Sequence, residues 1–109
     1  MDLINELLSK TELLDTSLKK LRETGSNLAQ AERNYKVAVN QKALELRDSG
    51  MAIGMINTTI YGYREIAELR FKRDVAEVVY KANLEAIQTL KLQIRILQSS
   101  IEREWGNTK

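Results

Sequence analysis

Residues 62–105 read GYREIAELRFKRDVAEVVYKANLEAIQTLKLQIRILQSSIEREW, with no proline and, after Gly62, no glycine. Ile66, Leu69, Arg73, Ala76, Tyr80, Asn83, Ile87, Leu90, Ile94, Leu97 and Ile101 follow one another at alternating steps of three and four. That spacing is a heptad seam, and it predicts a helix over about 63–105. At about 1.5 Å per residue such a helix is on the order of 65 Å long, so it needs a partner along its length.

Upstream, Leu7, Leu14, Leu21, Leu28 and Tyr35 are seven apart, flanked by Leu3, Ile4, Leu8, Leu13, Leu18, Ala31 and Ala38. This predicts a first amphipathic helix over about 2–49, ended by Ser49-Gly50. Gly25 costs a helix about 1 kcal/mol relative to alanine. The stripe keeps its phase across Gly25, so one helix, bent or briefly interrupted there, is expected rather than two. Continuing the heptads puts Thr11, Glu32 and Lys42 on the first seam, as Arg73 and Asn83 are on the second. Polar seam residues set register and oligomer order. A hairpin turning near 50–61 then brings Leu28 to Asn83 and Glu32 within hydrogen-bonding reach of Tyr80.

Residues 50–62, GMAIGMINTTIYG, are longer and more apolar than most helix-to-helix links. Two readings stand. Met51, Ile53, Met55, Ile56, Ile60 and Tyr61 fold back as a plug over the open end of the bundle, or they form an exposed patch with adaptable methionines. The second helix also carries Phe71, Val75, Val78, Val79, Leu84, Leu92 and Ile96 outside its seam, a wider apolar arc than one neighbour covers. A two-helix hairpin is too thin to offset an ordering cost of about 1.5 kcal/mol per residue. The expected fold is therefore all-α: one 109-residue domain, a long antiparallel coiled-coil hairpin assembling into a homodimer or higher bundle. The residues assigned to the oligomer seam are Ile66, Leu69, Tyr80, Asn83, Ile87, Leu90, Ile94, Leu97 and Ile101.

Composition narrows the chemistry. The chain has neither cysteine nor histidine. Disulfide frameworks, thiolate metal sites, Ser-His-Asp and Cys-His nucleophiles and the commonest zinc sites are excluded. No catalytic, metal or cofactor residues are assigned. The net charge of +2 is spread thinly: residues 1–49 hold eight acidic and eight basic side chains, and residues 50–109 hold seven and nine. Neither a DNA mimic nor a nonspecific DNA binder is built this way. Apolar runs are too short for a membrane span, and Met-Asp-Leu-Ile-Asn-Glu does not open a signal peptide, so a cytoplasmic location is expected.

One cluster invites a ligand. Tyr61, Tyr63, Arg64, Arg70, Lys72 and Arg73 crowd the start of the second helix, where free N–H groups, guanidinium groups and ring faces could hold a phosphate, a nucleotide or single-stranded DNA. Against this, Arg70 and Lys72 diverge by about 200° around a helix. With Met55, Ile56 and Ile60 of the link, these residues are the candidate ligand or partner contacts.

The runs Ala31-Glu32-Arg33-Asn34-Tyr35, Leu44 to Met51, Glu65 to Glu77 and Glu102 to Gly106 resemble small helical proteins of Firmicutes phages and prophages, often encoded near single-strand annealing and single-stranded DNA-binding genes. The resemblance implies a phage accessory protein acting in the cytoplasm of a bacterial host, and names no target. Absent catalytic chemistry, excess apolar helix surface and the apolar link point to a non-enzymatic oligomeric binding module. Its expected target is a host factor: an antiviral defence protein, a nuclease or an immune nucleotide signal. The alternative is an accessory of phage recombination or replication that contacts an annealing protein or single-stranded DNA.

Overall fold

The computed structural model describes residues 2–107, and the side chains of residues 2–106. It is all-α among those residues. Helix α1 spans Asp2–Asp48, α2 spans Ile53–Thr59, a 3-10 turn covers Ile60–Gly62, and α3 spans Arg64–Asn107. The chain divides into two compact units, Met1–Thr24 with Tyr80–Lys109, and Gly25–Val79.

Helix α1 passes through Gly25 without a break. Its neighbours, from Leu21 through Thr24 to Leu28, stay on one half-buried face, and that packing outweighs the conformational preference of a single glycine. The helix stops at Gly50, whose φ of +92° is the left-handed conformation that glycine adopts without a Cβ clash. The Gly50 N–H donates to the Arg47 carbonyl (3.0 Å) and the Met51 N–H to the Leu46 carbonyl (3.1 Å). These are the two bonds of a Schellman stop, completed by Met51 packing on the cluster that contains Leu46.

The link that follows is itself helical. The N–H groups of Met55 and Ile56 both donate to the Ala52 carbonyl at 3.0 Å, which starts α2. Thr58 and Thr59 return their hydroxyls to the carbonyls of Gly54 and Met55. Ile56 and Ile60, four apart on one face, are buried with Leu46 and backed by Val39, Ala43, Met51 and Tyr63. This cluster is the core of the Gly25–Val79 unit.

In the same unit α1 and α3 run antiparallel: Tyr35 meets Arg73, and further along α1, Lys42 meets Glu65. Ile66, 1% exposed, is the most deeply buried large side chain between them. In the other unit the helices meet at Asn83, whose Nδ2 donates to the Ser17 carbonyl (3.0 Å) while its Oδ1 accepts from the Thr24 hydroxyl (2.8 Å).

This pairing corrects the register expected from sequence. Asn83 is opposite Thr24, one helical turn before Leu28. Thr11 and Glu32 are exposed, so neither is a seam residue, and the Glu32–Tyr80 hydrogen bond loses its basis. The seam of α1 instead follows Leu3, Leu7, Lys10, Leu14, Ser17, Leu21, Thr24, Leu28, Ala31, Tyr35, Ala38 and Lys42, all buried or half-buried. The physical reason is size. Ser17, Thr24, Ala31 and Ala38 form a layer of small side chains that admits α3 closely, whereas the other phase would set the larger Leu18 and the charged Glu32 against it.

Candidate functional site

On α3, Ile66 and Ile87 are buried, and Leu69, Arg73, Ala76, Tyr80, Asn83, Leu90, Ile94, Leu97 and Ile101 are half-buried. The face assigned to oligomer contact is thus already the least exposed face of α3 within a single copy. The apolar residues left in water lie elsewhere on the helix: Phe71 (65% exposed), Val75, Val78 (67%), Val79, Leu92 and Ile96.

The link is divided between burial and exposure. Ile56 and Ile60 form the plug. Met55 in α2 and Tyr61 in the 3-10 turn lie off the face that carries them and are exposed, and Ile53, one turn before Ile56 on the same face, is exposed at the start of α2. An open groove of about 480 Å³ lies beside them, lined by Asn40, Ala43, Leu44, Arg47, Ile53, Ile56 and Asn57. Its floor is aliphatic, with two amides and one guanidinium as the polar groups. Leu44 and Ile53 stand exposed on its rim. The composition of the groove suits an apolar side chain accompanied by an acceptor such as a carbonyl or carboxylate.

The basic and aromatic residues of the cluster are placed in pairs. The Arg70 guanidinium sits over the Tyr61 ring at 5.5 Å, that of Arg73 over Tyr35 at 4.8 Å, and the Lys42 ammonium over Tyr63 at 4.3 Å. All three cations lie within about 6 Å of a ring centroid, the reach of a cation–π contact, so tyrosine faces organise the cations here. Two of those cations are also bonded to acids. Arg73 donates twice to Oδ1 of Asp74, at 2.8 and 3.1 Å, which raises its already high pKa. Lys42 lies 3.1 Å from Glu65 and 3.6 Å from Glu45. The Glu65 hydrogen bond chiefly raises the Lys42 ammonium above its ordinary value, partial burial opposes it, and the charges of Glu65, Glu45 and Tyr63 assist.

Consequently Arg70 and Arg73 are directed to different rings, and Arg64 and Lys72 stand exposed apart from them. The structure does not gather the four cations on one ligand. Glu65, in the first turn of α3, adds negative charge where an anion would otherwise bind. The Lys42–Tyr63 pair was not visible in sequence as a unit. The hint was a lysine at a seam position, which needs an acid and a ring face to remain there.

Among the described residues, no group of three or more Asp or Glu could hold a metal ion, and no helix is long and apolar enough to cross a membrane. No protein-family model, curated protein or solved structure matches the chain.

Proposed function

We propose that this chain is a non-enzymatic, self-associating binding module. In this reading it presents the exposed side of α2, with the adjoining groove, to a partner protein. The carrying observation is that Ile53, Met55 and Tyr61 are held in water by a segment anchored through buried Ile56 and Ile60. A fixed apolar patch loses little conformational entropy on binding, and an adaptable methionine lets it fit its partner. The resemblance to phage accessory proteins makes a host factor the proposed target: an antiviral defence protein, a nuclease or an immune nucleotide signal. On that proposal the protein works in the bacterial cytoplasm and acts as an inhibitor by occupying a surface.

Recovery from host lysate tests the reading. The wild-type chain should retain a host protein in stoichiometric amount. The Ile53→Ser/Met55→Ser variant, with unchanged helical circular dichroism, should lose it. Retention of the same partner by that variant removes the patch from the argument, and recovery of nothing stoichiometric by either chain removes the function.

The recombination-accessory reading, with contact to an annealing protein or single-stranded DNA, draws on the basic and aromatic residues of α3. It is weaker because Arg73 is neutralised by Asp74 and Arg70 is turned to Tyr61. Salt-dependent DNA binding lost in Arg64→Ala/Arg70→Ala/Lys72→Ala would reinstate it.

A further inference from the structure

Helix α3 carries a second heptad series. Phe71, Val75, Val78, Ala82, Glu85, Thr89, Leu92 and Ile96 again alternate in steps of four and three, and every one of them is exposed. At about 100° per residue, this series lies about 200° around the helix from Ile66, Arg73, Ala76 and Tyr80. It is the face away from α1. Apolar residues fill both ends of the series, and the middle holds Ala82, Glu85 and Thr89.

From this pattern we infer that the back face of α3 binds the back face of α3 in a second copy, antiparallel and two-fold symmetric, with Val75 facing Leu92 of the second copy. The inference rests on the self-association in the proposed function and names the surface that achieves it. Each half of the contact joins the 71–79 segment of one copy to the 86–96 segment of the other.

Charge and size select this register from its neighbours. Val75 opposite Leu92 places Phe71 against Ile96 and Val78 against Thr89, and brings Ala82 to Glu85 at the centre. Along the flanks, antiparallel helices bring like heptad positions together. One flank then pairs Asp74 with Arg95, once on each side of the two-fold. The other pairs Val79 with Ala86 and Lys72 with Gln93. Lys81 faces Gln88, so no like charges meet along the flanks; at the centre the two Glu85 side chains lie in successive layers, offset by about 4.5 Å along the axis rather than directly opposite one another.

A slip of one heptad in one direction sets Lys81 against Lys81 and Val75 against Glu85. A slip of one heptad in the other direction sets Lys81 against Arg95. A slip of two heptads buries only residues 71–82 and closes with Glu68 against Glu85. A parallel pairing stacks Glu85 on Glu85. Like charges directly opposite one another oppose association. Only the first register joins each large apolar residue to another apolar group or to the methyl-bearing side chain of Thr89. The ionic component is open to it as well: Arg73 uses Oδ1 of Asp74, whose side chain is 53% exposed, and Arg95 is exposed.

The chain contains no cysteine, which makes disulfide trapping unambiguous. Light scattering on the eluting wild-type chain at tens of micromolar should report two copies. Phe71→Glu should report one, with unchanged helical circular dichroism. Val75→Cys chains mixed with Leu92→Cys chains under mild oxidation should form linked dimers at least tenfold faster than either chain alone. A wild-type chain that stays single-copy overturns both this inference and the self-association on which it rests. Two copies that cross-link fastest as Val75→Cys with itself, that fail to link in the mixture, or that survive Phe71→Glu leave self-association standing and overturn this surface.

Discussion

The Thr24 hydroxyl on α1 donates to Oδ1 of Asn83 on α3 at 2.8 Å, and the Asn83 amide continues to the Ser17 carbonyl. A half-buried asparagine with both ends of its amide satisfied discriminates between registers, because a slip by one turn strands both. Asn83→Ala should lower stability by about 1–2 kcal/mol, and Thr24→Val by about 1 kcal/mol. The double variant should lose less than the sum, with a coupling of about 0.5–1.5 kcal/mol in urea melts. Additive losses would mean that the two side chains do not meet in solution.

Two isolated changes separate burial from mere hydrophobicity. Ile66 is fully enclosed, whereas Val37 on α1 is exposed. Ile66→Ala should destabilise the chain by about 2–5 kcal/mol. Val37→Ala should remain within about 0.5 kcal/mol of wild type. Comparable losses at both positions in thermal melts would contradict the assignment of the inner face.

Glycine at positions 50 and 54 serves different ends. A Cβ would meet nothing within 4 Å at either site, so space is not the issue. Gly50 has φ +92°, and an alanine there is strained by about 1–2 kcal/mol. Gly54 lies inside α2, where alanine should stabilise by about 0.4–1 kcal/mol, chiefly by restricting the unfolded chain. Opposite signs for Gly50→Ala and Gly54→Ala are expected in denaturant titrations. A matching sign would argue against the left-handed stop.

The Lys42 ammonium, held above its ordinary value of 10.5 mainly by its hydrogen bond to Glu65, sets a pH dependence. A pKa raised on folding stabilises the native state while the group is charged in both states. The contribution is therefore complete below about pH 10.5 and fades as pH rises through the higher folded value. The stability gap between wild type and Lys42→Met should be larger at about pH 8 than at about pH 12. An unchanged gap would show that the aliphatic stem of Lys42, rather than its charge, sustains the contact with Tyr63.

Much of the architecture was readable because it depends on periodicity. The inner face of α3 from Ile66 to Ile101 follows from spacing alone, and the glycine at the end of α1 announces itself chemically. The register was not readable in the same way. Two phases of α1 each offered a plausible heptad, and only close approach through Ser17, Thr24, Ala31 and Ala38 distinguishes them. The Tyr61–Arg73 cluster was legible as composition but not as geometry. A run of cations along a helix does not reveal that Arg70 turns to Tyr61 while Arg73 crosses to Tyr35 on α1. For the link, composition did not reveal which side chains face inward: Ile56 and Ile60 are buried, whereas Ile53, Met55 and Tyr61 are exposed.

The angular separation of the two series on α3 has an evolutionary corollary. Residues such as Phe71, Val78 and Leu92 can be exchanged without disturbing Ile66, Asn83 or Ile87, because no side chain belongs to both faces. A lineage built on this helix can vary its outward positions, while the selection that keeps the chain folded acts on a different set of codons.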